Sequence, residues 1–271
     1  MPTVLESMLM SGFMRQAALA GLLASLACGI MGAYVVIRRI SFIAGGISHA
    51  VLAGMGCAVF FHGSPLWGAA ISAVLVALVI GWLHQRTRES EDTLIASVWT
   101  VGMAVGVLFI YKTPGYAADL FSYIFGNILL VSGADLKAMA AFDVFILVSV
   151  FAFYRRFMAV CYDEEFARIQ GVSTRAVYMF LLCLVALTVV LLVQVVGVIL
   201  AMALLTIPAA IASRWTTSLS GMMALATVLG ALFTLLGLAI AYPLDLPAGA
   251  TVVLIAGAFY IFFALGRLSQ R

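Results

Sequence analysis

Charge is scarce in this chain: Asp, Glu, Lys and Arg together make up 9% of its 271 residues. Soluble domains carry about 25% charged and about 45–50% apolar residues. Here the apolar share is 65% and the mean hydropathy is +1.21. Too few polar side chains remain to cover a water-soluble fold, so the second solvent is a bilayer. The 14 Lys and Arg exceed the 11 Asp and Glu by 3, a surplus too small to mark a nucleic-acid surface. Cysteine is limited to Cys28, Cys57, Cys161 and Cys183, with no C-x-x-C pair. Three of them sit in apolar runs, which reads as packing and excludes a disulfide framework or a zinc knuckle. HExxH, GxSxG and phosphate-loop motifs are all missing, which leaves metalloprotease, serine-hydrolase and nucleotide chemistry without support. Ser48 and His49 are adjacent, so on a helix they point about 100° apart and form no dyad.

What is present is a succession of apolar runs, each near the roughly 20 residues that a crossing requires. They cover 14–37, 45–63, 66–84, 94–112, 138–154, 176–196, 197–213, 219–241 and 248–266. The first continues from Ala17 through Ile37, longer than the roughly 7–15 residues of a signal-peptide core, and is read as a retained span. From Ala176 to Ser213 there is no charged residue, and Gln194 and Gly197 mark the turn between two crossings. Residues 117–131 are shorter and read as a re-entrant or interfacial helix. The expectation is an all-α, polytopic membrane protein of about eight or nine spans in a single domain, 1–271. Basic residues gather between spans at Arg38-Arg39, Arg86 with Arg88, Arg155-Arg156 with Arg168 and Arg175, Arg214, and Arg267 with Arg271. The positive-inside rule puts these in the cytoplasm. They agree with one another only if 117–131 does not cross, and the scheme then leaves the N-terminus outside.

Within the apolar chain two stretches stand out. The first, Ser41 to Ala50, leads into the second span and carries His49, an ionisable group that is costly in lipid and usually faces a cavity or a partner. Imidazole is also the commonest transition-metal ligand. Gly45 lies one turn before it and Ala53 one turn after, while Gly46, Ala50 and Gly54 form a neighbouring small row that admits close approach. A histidine that merely hydrogen-bonds a neighbouring helix would fit the same pattern. Cys57 lies about 12 Å farther along the helix and cannot share one ion with His49. His62 and His84 fall at span ends, which suits an interfacial role. Asp119, Asp135, Asp143 and Asp245 lie near the expected outer face, where each could line an entry path but reads first as hydrated, and Pro208, Pro243 and Pro247 read as features of helix geometry. The second stretch is the polar loop from Phe157 to Arg175. Asp163-Glu164-Glu165 make an acidic first turn for a short helix and Gly171 a stop, a form suited to docking a soluble partner or to an ordinary solvated connection.

Five segments occur in order: SFIAGGISHAVLAG at 41–54, DLFSYIFGNIL at 119–129, DEEFARIQGV at 163–172, VVGVILAMALLTIPAA at 195–210 and LDLPAGATVVL at 244–254. Together they resemble the membrane permease subunit of ATP-binding-cassette importers for zinc and manganese, over nearly the whole chain. The resemblance implies a homodimer of permeases in the prokaryotic plasma membrane, docked on two cytoplasmic ATPase subunits and fed by an extracytoplasmic metal-binding protein. It implies no enzyme activity and no permanently bound cofactor in this chain, with ATP held by the partner. It further implies that about 162–172 is the coupling helix. Glu164, Glu165, Phe166, Ala167 and Gly171 would be its working residues, with Glu165, Ala167 and Gly171 keeping an E-x-A-x-x-x-G spacing.

Many members of that family place an aspartate one turn before the histidine, where this chain has Gly45. The resemblance therefore implies His49 as a metal ligand without its usual carboxylate, in a path packed by Gly45, Gly46 and Ala53. Loss of a hard anionic donor leans toward zinc before manganese. Two other readings are an iron-chelate or cobalamin permease, for which the chain is short, and an ion-coupled secondary transporter. The latter predicts paired midplane carboxylates or an inverted repeat, and neither is found.

Overall fold

The computed structural model describes residues 12–84, 86, 91–113 and 128–268, and among them it is helical throughout, with no strand. The helices are α1 (Gly12–Ile37), α2 (Ser41–Phe60), α3 (Pro65–His84), α4 (Glu91–Lys112), α5 (Gly133–Tyr162), α6 (Glu164–Ile169), α7 (Thr174–Val196), α8 (Val198–Ala212), α9 (Leu219–Leu244) and α10 (Ala248–Leu268). One 3-10 turn, Ile128–Leu130, precedes α5. Eight of these helices are long and apolar enough to cross a membrane, and α8, at 15 residues, is a shorter apolar helix. An all-helical solution is what the solvent demands, because backbone amides in hydrocarbon must be satisfied within the segment itself.

Each apolar run of the sequence becomes one helix, and every helix but α8 extends past at least one end of its run. The run at 138–154 lies inside the 30-residue α5, which starts on a Ser132–Asp135 cap and continues past Arg155-Arg156. Hydropathy marks where lipid begins and ends, whereas backbone hydrogen bonding carries on into the interface. The turn foreseen near Gln194 and Gly197 falls at Gly197, whose φ of 82° and ψ of 164° suit glycine. Gln194 itself lies inside α7. Pro208 and Pro243 sit inside α8 and α9. The interfacial helix expected at 117–131 lies outside the described residues, except for its last turn at Ile128–Leu130.

Two compact units emerge from the packing. The first comprises residues 1–36, 124–145 and 195–271, and the second 37–123 and 146–194, so that α5 contributes its two halves to different units. In the first unit α1 packs on α9 with Gly21 against Thr234, Ser25 against Gly230 and Gly29 against Thr227. The falling register makes that pair antiparallel. Hydroxyls inside it are satisfied locally, with Ser25 donating to the Gly21 carbonyl at 2.6 Å and Thr234 to the Gly230 carbonyl at 2.8 Å.

In the second unit α2 is the central helix. Against α4 the register rises together: Gly46 meets Ile95, Ala50 meets Gly102, and Leu52 meets Gly106, so the two helices run parallel. Against α3 it is reversed, with Gly54 beside Ser72 and Ala58 beside Gly68. The α2–α4 crossing is close enough that a methyl group added at Gly102 would lie 2.8 Å from Ala50 Cα, and one added at Gly56 would lie 2.6 Å from the Gly106 carbonyl oxygen. Small residues are how helices associate where lipid is as apolar as leucine. Gly257 of α10, by contrast, has nothing within 4 Å of an added methyl. Thermal unfolding in detergent should therefore separate the two sites. Gly102→Val is expected to cost about 1–3 kcal/mol through overpacking and to lower the midpoint, while Gly257→Ala leaves it unchanged. Equal midpoints would contradict the close crossing.

Candidate functional site

His49 lies on α2, a little over two turns from its start at Ser41, and is half-buried. The shared register of α2 and α4 brings it against Trp99. The rings stack face to face with centroids 4.4 Å apart and planes 7° from parallel. Trp99 is fixed in turn by its own helix, its Nε1–H donating to Met103 Sδ at 2.8 Å. Among the described residues no hydrogen bond reaches either ring nitrogen of His49. Face stacking covers the π surface of an imidazole, while its nitrogen lone pairs lie in the ring plane at the edge. The ring is thus held in place with its donor atoms unengaged, and the hydrogen-bonding alternative left open by the sequence finds no partner here.

The residues around it divide. Gly45 and Gly46 are buried, with Gly46 packed under Ile95, so the position where a carboxylate would stand holds no side chain. Ala53 lines a shallow apolar groove with Ala50, Val98, Val101 and Gly102. Ser48 is turned away into its own helix, donating to the Ala44 carbonyl at 2.9 Å. His62 is exposed just beyond α2, and His84 ends α3. Among the described residues no group of three His, Cys, Asp or Glu side chains comes together, so an ion meeting His49 would complete its shell with water or with donors beyond those residues. A cavity of about 240 Å³ lies on the opposite side of α2, between Val51, Met55, Pro65, Leu66, Val193 and Gln194, and His49 does not line it.

The acidic residues of the outer side are not alike. Asp119 lies outside the described residues. Asp135 caps α5, accepting from the Ser132 hydroxyl at 2.6 Å and from its amide at 3.0 Å. Asp245 is exposed, ends α9 with φ of 51°, and borders a cavity of about 380 Å³ with Ile199 and Pro247. Asp143 corrects the expectation of hydration. It is buried, at 4% exposure, and among the described residues neither carboxylate oxygen has a hydrogen-bond partner. Its place on the inward face of α5, in line with Met139, Ile146 and Val150, is the reason.

The polar loop folds as read. Asp163 is the N-cap of α6 and accepts from the Phe166 amide at 2.9 Å, and Gly171, at φ of 78°, follows its end. At 100° per residue the helix has two faces. Glu164 and fully buried Ala167 lie toward the rest of the unit. Glu165, Phe166 at 55% and Ile169 at 77% exposure form the free face. Glu164 is paired with Arg38 at 3.2 Å. Arg38 also donates to the Val160 carbonyl at 2.9 Å and lies 5.1 Å over the Tyr178 ring. Neither Trp99 nor Arg38 was singled out as a site residue by the sequence. A tryptophan four residues before a methionine was the available sign for the first, but its partner depends on the α2–α4 register.

With this geometry in hand the chain can be compared with known proteins. It matches the ABC 3 transport family over residues 10–266. It is 41% identical over 248 residues to a probable metal transport system membrane protein of Chlamydia pneumoniae, covering 89% of this chain and 85% of that one. It is 31% identical over 255 residues to the manganese transport system membrane protein MntC of Halalkalibacterium halodurans, covering 94% and 87%. Among solved structures it superposes on a chain of PsaBC from Streptococcus pneumoniae in complex with Fab, with a TM-score of 0.86 and 28% identity over 96% of this chain and 93% of that one.

The stack itself is open to direct test. In a variant retaining Trp99 as its sole tryptophan, His49→Ala should raise indole emission by removing the stacked imidazole that quenches it. Unchanged emission would mean that the rings are apart in the membrane.

Proposed function

Since the chain belongs to the ABC 3 transport family, we propose that it moves a divalent transition metal inward by alternating access, as a homodimer, with His49 as a transient ligand on the path. The chain is the multi-pass permease subunit of a metal ABC importer in the bacterial plasma membrane and performs no catalysis of its own.

The observation that carries the finer reading is the His49 imidazole, pinned by Trp99 with both nitrogens unengaged, on a helix whose neighbouring positions are glycine and alanine. A path needs sites that bind well enough to admit an ion and weakly enough to release it. One imidazole with water completing the shell meets that requirement. Gly45 offers no carboxylate where other members carry one, so the ion would keep part of its hydration. The free face of α6, with Glu165, Phe166 and Ile169, supplies a docking surface for a cytoplasmic ATPase dimer. The metal would arrive from an extracytoplasmic binding protein.

For the cargo, the donor chemistry of this chain favours zinc, which accepts imidazole readily and depends less on carboxylate than manganese does. A second reading, manganese, is favoured by the relative named for manganese transport.

Uptake into vesicles holding the permease with its ATPase and binding protein, with zinc and manganese in competition, tests the reading. ATP-dependent accumulation of one metal is expected. His49→Ala should assemble normally and lose uptake at least about ten-fold, a loss that follows even from disturbing a metal ligand's outer partners. Undiminished uptake without His49 would make the histidine structural, and failure of either metal to move would overturn the cargo.

A further inference from the structure

Among the described residues the pair of Arg38 and Glu164 is the only side-chain ion pair, and its surroundings are unlike those of the other basic residues. Arg86 lies over Trp82 and Arg156 over Phe153, each on or beside its own helix, and Arg214 reaches Tyr260 alone. Arg38 instead joins three elements at one point. One guanidinium nitrogen donates to the carbonyl of Val160 on α5, another meets the Glu164 carboxylate on α6, and the ion's face covers the Tyr178 ring on α7. A planar fork with several donors is the side chain able to do this, and a lysine is not its equivalent.

The other end of Arg38 matters equally. It lies in the three-residue turn, Arg38 to Ile40, before α2, the helix that carries His49. The turn has no slack. Arg39 adopts a left-handed φ of 58°, and Ile40, 3% exposed, is locked by its carbonyl to the amides of Ile43 and Ala44 at 3.0 and 3.2 Å. Displacement of the guanidinium is therefore delivered to the first turn of α2.

We propose that Arg38 is the positioning residue that transmits movement of α6 to α2 and so to His49. This rests on the reading of α6 as the ATPase-docking helix. Glu164 faces Arg38 while Glu165, Phe166 and Ile169 face outward, so one helix presents its partner surface and its transmission contact on different sides. The Glu164 side chain is half exposed, at 50%, and a pair so placed adds little to stability. Its loss should uncouple the two helices without unfolding the protein.

The test uses the assembled permease–ATPase complex in lipid, in an assembling cysteine-free background, with an environment-sensitive label at Arg168→Cys on α6, away from the docking face, or Phe42→Cys on α2. Both native positions are exposed. With the parental Arg38–Glu164 pair, both labels should respond to ATP. In Arg38→Gln and in Glu164→Gln the α6 label should still respond, while the α2 response falls about five-fold or more, the lower range of allosteric couplings. Arg38→Lys, which keeps the charge facing Glu164 but loses the fork, should retain part of that response. An α2 response that persists in full without Arg38, or the loss of both responses together, would overturn the proposal. An α6 label insensitive to nucleotide in the parental protein would remove the docking reading beneath it. The assay needs no metal, so the identity of the cargo is tested separately.

Discussion

The close parallel crossing of α2 and α4 is the contact on which the site depends. In lipid, helices gain nothing from hiding apolar surface from apolar tails, and association rests on how closely backbones can approach. Gly46, Gly56, Gly102 and Gly106 set that approach. They also fix the register that lays Trp99 against His49. Without the register the imidazole would find another partner or rotate into lipid, where an ionisable group is costly. The small residues around His49 thus do more than make space, because they decide which ring meets which.

The same economy governs the polar end of the unit. A membrane helix cannot signal along its length through a flexible chain, so any link between a cytoplasmic helix and a transmembrane one must be short and held at both ends. Arg38 is held by α5, α6 and α7 through its side chain and by the tight turn into α2 through its backbone. His49 and the free face of α6 are separated along the sequence by more than a hundred residues, yet both belong to the second compact unit.

Much of this was legible beforehand, for a physical reason. Lipid imposes a length and a composition on every crossing, so the apolar runs announce the helices, and the interruption at Phe157–Arg175 announces α6, its acidic cap and its glycine stop. The close packing at Gly46 and Gly54 was also readable from the spacing of the small residues. The stack with Trp99 was not, because it depends on whether α2 and α4 run parallel and in what register, which local pattern does not encode. Arg38 was readable as a cytoplasmic charge but not as a bridge between α5, α6 and α7. Asp143 misled because span position alone suggests hydration, while its side chain lies on the inward face of α5. Gly45 worked in the other direction: a missing carboxylate is visible in sequence, and the structure supplies no His, Cys, Asp or Glu cluster in its place among the described residues.

On the proposed path an ion in transit meets the His49 imidazole. Manganese(II) trapped in the complex by a non-hydrolysable ATP analogue can be examined by pulsed electron paramagnetic resonance, which detects nitrogen nuclei bonded to the metal. A single imidazole nitrogen coupling is expected, one that disappears in His49→Gln and survives changes at His62 and His84. A trapped ion with no nitrogen coupling, or with one that persists without His49, would contradict it.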